Sequence, residues 1–443
     1  MIGPAWPGGL ILLWGLTFAG DVRGARVQEE APGPPVVQDE EPAILATKRC
    51  TMTIRFGRSF SQNVGGERES FIHYLGGSVR TVCGDATITA DSAVHYERSG
   101  RVNMIGRVHY ADSTRVLDAD RLTYFAPQGR VLAERNVSLT QRRTGSQMRG
   151  PRVEIFRGRA GAPERTRATE RPHLTLAFGP ASESREPFEI DSDEAEFVGE
   201  ERANVFGGVE INRSDMSATA DSAFFEATLA RGRLFGDPVV RGEDVELKGD
   251  SVYAFFGGEE LTEIRALGTA EAAGDDFRIG APIVAAEFEE SEVRRLRAHA
   301  GRATGWSKGF RADADSLVFH VAAGALDSLV GIGSASGIQL AGDDTEVEGP
   351  PGLGVGGGES WVAGDTLVAI FVPTEDSRAV HSIRAEGNAR SYYEAVRDST
   401  STAVPSRNYI SGQTIEVLFE AGEVAEVVGD QAIGVYLEPR DDE

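Results

Sequence analysis

The chain has 443 residues, a formal net charge of −24 and an apolar share of 40%. That share supports a core and is too high for a disordered chain, while the acidity argues against nucleic acid as a partner. With only 2 cysteines it is no disulfide-dense miniprotein.

The first element is an apolar run from Gly8 to Gly20. It has signal-peptide length and is too short to span a bilayer. Residues 1–24 are therefore read as a signal peptide, which implies export. Residues 25–48 are rich in Pro and acid and read as a linker. Cys50 and Cys83 follow; they either bridge in an oxidising compartment or stay as two thiols in strands.

From Thr51 onward the pattern is short and alternating, as in Phe71-Ile72-His73-Tyr74-Leu75 and Asp85-Ala86-Thr87-Ile88-Thr89-Ala90-Asp91. Period-two alternation with β-branched and aromatic residues, cut by Gly, Asn and Asp, predicts strands. A longer period lies over it. Gly77 precedes Asp91 by 14 residues, and Gly106 precedes Asp120 by 14; the two units are offset by 29. Gly207–Asp221 and Gly236–Asp250 repeat both spacings. A fixed period of roughly 20–50 residues marks a stacked architecture in which no unit buries its apolar face alone. The expectation is an all-β, repeat-built, solenoid-like fold in two blocks, 49–157 and 188–443. Residues 158–187 break the period and read as an Arg-rich loop or hinge. Residues 285–303 have helical propensity, but Val293-Leu296-Ala298 fits the repeat and favours strand. The glycine run 349–358 has no following Lys-Ser/Thr, so it is no phosphate-binding loop.

Charge is uneven. Residues 101–171 hold 15 Arg and 7 acids, a net of +8, which leaves −32 on the rest. An Arg-rich face can take phosphates by bidentate contacts or be a solvated face. Arg130, Arg142, Arg143, Arg149 and Arg152 are the candidates for a charged headgroup.

Catalytic and metal signals are weak. The histidines lack metal-ligand spacing, and there is no Cys-x-x-Cys and no Gly-x-Ser-x-Gly. Asp91, Asp120, Asp221, Asp250, Asp315 and Asp365 would stack in register. An acid column can bind Ca²⁺, but an Asp at a turn also satisfies backbone N–H groups, and the structural role is favoured. No enzyme activity and no cofactor is expected. Bulky residues on the strands, Tyr96, Leu122, Tyr124, Phe197, Phe225, Tyr253, Phe255 and Phe319, are the candidates to line an apolar trough; their plain alternative is core.

The units Gly77-Ser78-Val79 with Ala90-Asp91-Ser92-Ala93, Gly106-Arg107-Val108 with Ala119-Asp120-Arg121-Leu122, and Gly129-Arg130-Val131-Leu132-Ala133 with Asn136-Val137 resemble the organic-solvent-tolerance (OstA-like) family. That family includes the periplasmic lipopolysaccharide-transport bridge protein (LptA-like) and the N-terminal domain of its outer-membrane partner. The resemblance covers residues 75–140 well and 190–260 moderately. Arg135 stands where the pattern has Gly, and the chain is much longer than one bridge domain. The resemblance implies a twisted β-jellyroll that holds lipopolysaccharide or a similar envelope lipid by its acyl chains, acts in outer-membrane biogenesis, and joins other transport-bridge proteins by end-to-end strand pairing. The alternative is a secreted structural or adhesive β-solenoid with a dry core.

Overall fold

A computed structural model describes residues 53–65, 70–158, 161–177, 186–257, 260–339, 360–374, 378–395, 406–420 and 423–437. The signal peptide, the linker and Cys50 lie outside these residues, as does the side chain of Cys83, so the Cys50–Cys83 pairing does too. So does the glycine run 349–358. The described residues form 30 strands in one hydrogen-bonded sheet, with two single 3-10 turns at Glu97–Ser99 and Ala227–Leu229. The all-β, repeat-built class expected from the alternation is the observed one, and Phe277–Glu289 and Glu292–His299 are strands despite their helical propensity.

The chain runs up and down. Phe71–Cys83 pairs antiparallel with Ala86–Tyr96, that strand with Arg101–Ala111, and so on through Arg115–Phe125, Arg130–Gln141 and Gln147–Phe156. The ladder does not stop at 158–187. That segment supplies Arg165–Thr169 and His173–Leu176, both paired with Gln147–Phe156. Thr166 and Ala168 are buried there, so two short half-strands stand where a hinge was expected. With only five and four residues, they carry too little apolar alternation to stand out in the sequence.

Most passes bend once, near the middle. Register shifts at Gly76/Val79, Ile105/Val108, Glu134/Val137 and Phe206/Val209 mark two-residue bulges. At Gly106 and Arg107 both residues are left-handed, with φ of 81° and 43°. A side chain at Gly106 would sit 2.5 Å from the Asp91 carboxylate, so the absence of Cβ is what lets the acid close over the bend. Asp91 then takes the Arg107 guanidinium, Nη2 to Oδ1 at 2.6 Å. Arg135 and Asn136 make the same bend without glycine, at φ of 66° and 49°, and Asn136 Nδ2 donates to Asp120 at 2.8 Å. Asn388 does so to Asp365 at 3.0 Å. The repeated Gly and Asp are thus the two halves of one corner.

The corners divide each pass into two arms, and the arms build two facing layers. One, sheet A, contains His173–Leu176, Phe188–Asp191, Val239–Arg241, Glu246–Lys248, Ala303–Ser307 and Phe310–Ala314. The other, sheet B, contains Arg165–Thr169, Glu194–Val198, Arg231–Phe235, Ser251–Gly257, Glu292–His299 and Ser316–Ala322. Rings from the two layers meet edge to face between them: Phe188 with Phe256 at 6.0 Å, Phe277 with Phe319 at 5.8 Å, and Phe310 with Phe371 at 6.0 Å. The sheet is therefore folded on itself along the line of corners, with one apolar cluster from Leu75 to Phe419 inside.

Candidate functional site

The interior is the first candidate. Each arm sends every second residue inward. At the corner, Ala-Asp-x-Ala or Ala-Asp-x-Leu puts two residues outward in succession, so Ala90 and Ala93, or Ala119 and Leu122, both face in. Small residues near the bend let the sheets meet; Phe, Leu and Ile fill the space further out. Leu122 and Phe319 are fully buried, and Phe197 and Phe225 nearly so. Tyr124 packs on the same cluster. These five candidates share one interior.

The other three do not. Tyr253 lies in the outward register between inward Val252 and Ala254, and its ring meets Phe235 at 6.2 Å in an outer row with Phe224 and Phe206. Phe255 lies beneath the Arg265 guanidinium at 5.3 Å, and Tyr96 beneath Arg101 at 4.2 Å. The two tyrosines and the phenylalanine drew attention by size alone, but a period of two makes each immediate neighbour of an inward residue an outward one.

The arginine candidates also disperse. Arg130 and Arg152 sit on sheet B against Glu154 and Glu134. Arg149 donates to Gln147 at 2.8 Å, and Arg142 to the Asp112 carbonyl at 3.0 Å. Cross-strand acids occupy much of this basic face, and it gathers no single anion site.

Opposite the corners, the free ends of the two sheets form two rims, and these touch. Arg115 on the sheet A rim pairs with Glu164 on the sheet B rim and donates to Thr166 Oγ1 at 3.1 Å. Asp112 holds the base of this contact, accepting from Thr114 N and Arg115 N at 2.8 Å and from the Tyr110 hydroxyl at 2.5 Å. Burial pushes the Glu164 carboxyl up, against the pull of Arg115. Burial also raises the Tyr110 phenol, with its hydrogen bond to Asp112 adding to the effect. A second latch joins Arg143 Nε to Glu200 Oε2 at 2.6 Å, with Nη2 on the Glu200 carbonyl at 2.8 Å. The partners lie about 50 residues apart because the strands of a twisted sheet cross those of the layer they face. Nothing local in the sequence marks Arg115 and Glu164 as a pair.

Between latches the seam narrows to gaps of about 40 Å³ beside Leu247 and Val293 and about 20 Å³ beside Trp361 and Phe419. It widens to about 690 Å³ where Asp276, Trp306 and Lys308 face Gly324 and Arg378. Among the described residues no group of three or more His, Cys, Asp or Glu is placed to hold a metal.

No family model matches the chain, and no curated protein matches it. Among solved structures it is similar to the crystal structure of LptH, the LptA homologous periplasmic component of the conserved lipopolysaccharide transport device from Pseudomonas aeruginosa. The identity is 14%, over 31% of this chain and 89% of that one, with a TM-score of 0.24. At that score the likeness carries no argument about this chain.

Proposed function

We propose that the protein is a non-enzymatic periplasmic lipid carrier, which binds lipopolysaccharide or a similar envelope lipid by its acyl chains and passes it on in outer-membrane assembly. The observation that carries this reading is the apolar interior between two sheets that, among the described residues, are covalently joined at the corners. Along the other side the sheets meet by polar contacts such as Arg115–Glu164 and Arg143–Glu200. Side chains fill the interior in this structure, so cargo enters by parting the rims. Burying an acyl chain of about 12 methylenes contributes roughly 10 kcal/mol, at about 0.8 kcal/mol each. A partly exposed ion pair such as Arg143–Glu200 contributes about 0–1 kcal/mol. Opening also displaces the side chains that fill the interior, so the chain must replace their burial as well as the latches.

The test is lipid capture. A photo-crosslinking residue at Phe225 or Leu122, both inward, is expected to trap lipid; one at Tyr253, outward, is not. Mass spectrometry of the purified protein is expected to show co-purifying acylated glycolipid. Equal trapping at Phe225 and Tyr253, or none at either, would remove the carrier reading. The complete burial of Leu122 and Phe319 favours the second reading, a structural or adhesive β-solenoid with a dry core, and that outcome would select it.

A further inference from the structure

The outer face of sheet B is, for most of its length, a ladder of cross-strand ion pairs such as Arg130–Glu154, Arg165–Glu196 and Arg295–Glu287. Over four successive passes, Arg202–Arg213, Met216–Glu226, Arg231–Phe235 and Ser251–Gly257, it changes character. Phe206, Phe224, Phe235 and Tyr253 stand there in a row, each half-buried, while their neighbours Val205, Ala223, Leu234 and Val252 are buried inward. The rings touch edge to face in turn, at centroid distances of 5.6, 5.8 and 6.2 Å. They belong to the outward register, so the row is an apolar strip turned to solvent.

The two sides of the strip differ. Away from the corners, Glu226 holds Arg231 and Arg233, and Glu263 holds Arg265, so the charges there satisfy each other. On the corner side stand Asp193, Asp221, Asp237 and Asp250, all exposed. Asp237 lies two residues after Phe235, Asp221 and Asp250 lie three before Phe224 and Tyr253, and Asp193 adjoins the Glu194–Phe206 pair. Among the described residues no ion pair reaches any of the four, whereas Asp91 holds Arg107 at 2.6 Å and Asp315 lies 3.7 Å from Arg302. The difference is one residue per bend. Arg107 follows its bend glycine, and the same place holds Gly208, Asp237 and Thr269 here. Asp250 receives the Thr269 N–H at 3.4 Å, which leaves its charge uncompensated. Closing the bends at Gly207, Gly236 and Gly268 accounts for Asp193, Asp221 and Asp250, but not for the missing cations or for Asp237.

An apolar strip beside an unpaired acid row fits an occupant that carries an apolar and a cationic stripe side by side. The acid row repels anionic lipid, and it repels a second copy, which has the same acids and a net charge of −24. Four neighbouring strands span about 14 Å, the length of roughly ten helical residues. We propose that this face docks a partner protein through a basic amphipathic helix laid across the strands. Its apolar stripe covers Phe206, Phe224, Phe235 and Tyr253, and Lys or Arg on its flank pair with Asp193, Asp221, Asp237 and Asp250. The face lies outside the interior, so it stands or falls apart from the carrier reading.

Fluorescence anisotropy on the full chain tests it, with a labelled Leu–Lys amphipathic peptide of about four helical turns as the probe. The peptide is expected to bind saturably, at least tenfold tighter than the same residues reordered to scatter the Leu stripe, or than a Leu–Glu version. Phe235→Ser, and Asp221→Asn combined with Asp237→Asn, are each expected to weaken it tenfold or more with unchanged circular dichroism. Glu426→Gln with Asp430→Asn removes as much charge from the remote strand Glu423–Asp430 and is expected to leave binding unchanged. Equal weakening by that remote pair, binding retained in both site variants, or no binding would overturn the proposal. So would loss, in Phe235→Ser, of self-association in sedimentation or of flotation with phosphatidylglycerol vesicles, since either assigns the face to another occupant.

Discussion

At Gly106 the backbone is left-handed and the Asp91 carboxylate lies where a Cβ would go. Gly106→Ala therefore meets strain twice, in φ and in the clash, and is expected to destabilise by about 1–3 kcal/mol in chemical denaturation. Asp91→Ala in the same chain removes the clash and is expected to recover part of that loss; a double variant no better than the single would assign the cost to φ alone. His173 is a second residue with a readable effect. Burial alone would depress it, but hydrogen bonds and charges from Asp191 and Glu189 outweigh burial, and its pKa is raised above the ordinary value. A raised folded pKa gives stability that is full below the unfolded pKa and is lost as pH rises through the folded one. His95 runs the other way. Burial, then the neighbouring His73, depress it, so its contribution is present above the unfolded value and is lost as pH falls through the folded one. His173→Gln is thus expected to flatten the fall in melting temperature on the alkaline side of about pH 6.5, and His95→Gln the fall on the acid side. Unchanged profiles in both would show that neither ring senses its neighbours.

Strand pairs explain why the rims are the part able to move. Within each sheet, neighbouring passes share a ladder of backbone hydrogen bonds, and at the corners they share the covalent chain. Across the seam there are single latches. Arg115 and Glu164 have side-chain exposures of 12% and 27%, so losing one partner strands a largely desolvated charge. Glu164→Gln is expected to cost roughly 1–3 kcal/mol and to raise amide exchange at the rims around Arg115 and Thr166, leaving the corner at Gly106 protected. Uniformly faster exchange would instead say that the latch holds the whole fold. Little of this was legible beforehand. The alternation identified the strands, and the 29-residue period identified the unit, but the partner of Arg115 lies almost two units further along the chain.

Among the described residues the sheet is a meander in which each pass touches mainly its neighbours, and it ends in two edge strands that pair on one side only with another described strand. Arg58–Asn63 is exposed throughout at one of them, and Ile433–Leu437 at the other, with Ile433 74% and Leu437 60% exposed. An exposed apolar edge strand is a template for another chain. End-to-end joining, which the OstA-like resemblance implies, would use these edges; if it does, Val435→Lys is expected to weaken concentration-dependent association at least tenfold in sedimentation. Association unchanged by that substitution would take the C-terminal edge out of the assembly. Unfolding is expected to be broader than a single two-state transition for a chain of this length, because a stack of near-neighbour contacts can open from its ends.

Residue by residue, the sequence determined the all-β class and the length of the repeat. These follow from local rules: alternation fixes which face a side chain takes, and a recurring spacing fixes the unit. That Asp91, Asp120 and Asp365 are structural was readable, but the expected task, satisfying backbone N–H groups at a turn, was not the one found: each lies within a strand, at a bend, and takes a side chain of the next pass. The tertiary structure alone decided which aromatic residues share the interior, where the rims latch and where the seam opens. Tyr253 looked as good a lining residue as Phe225 until register separated them. Asp276, Trp306 and Arg378 sit on three separate strands or turns, and only the folding of one twisted sheet onto itself brings them to one cleft.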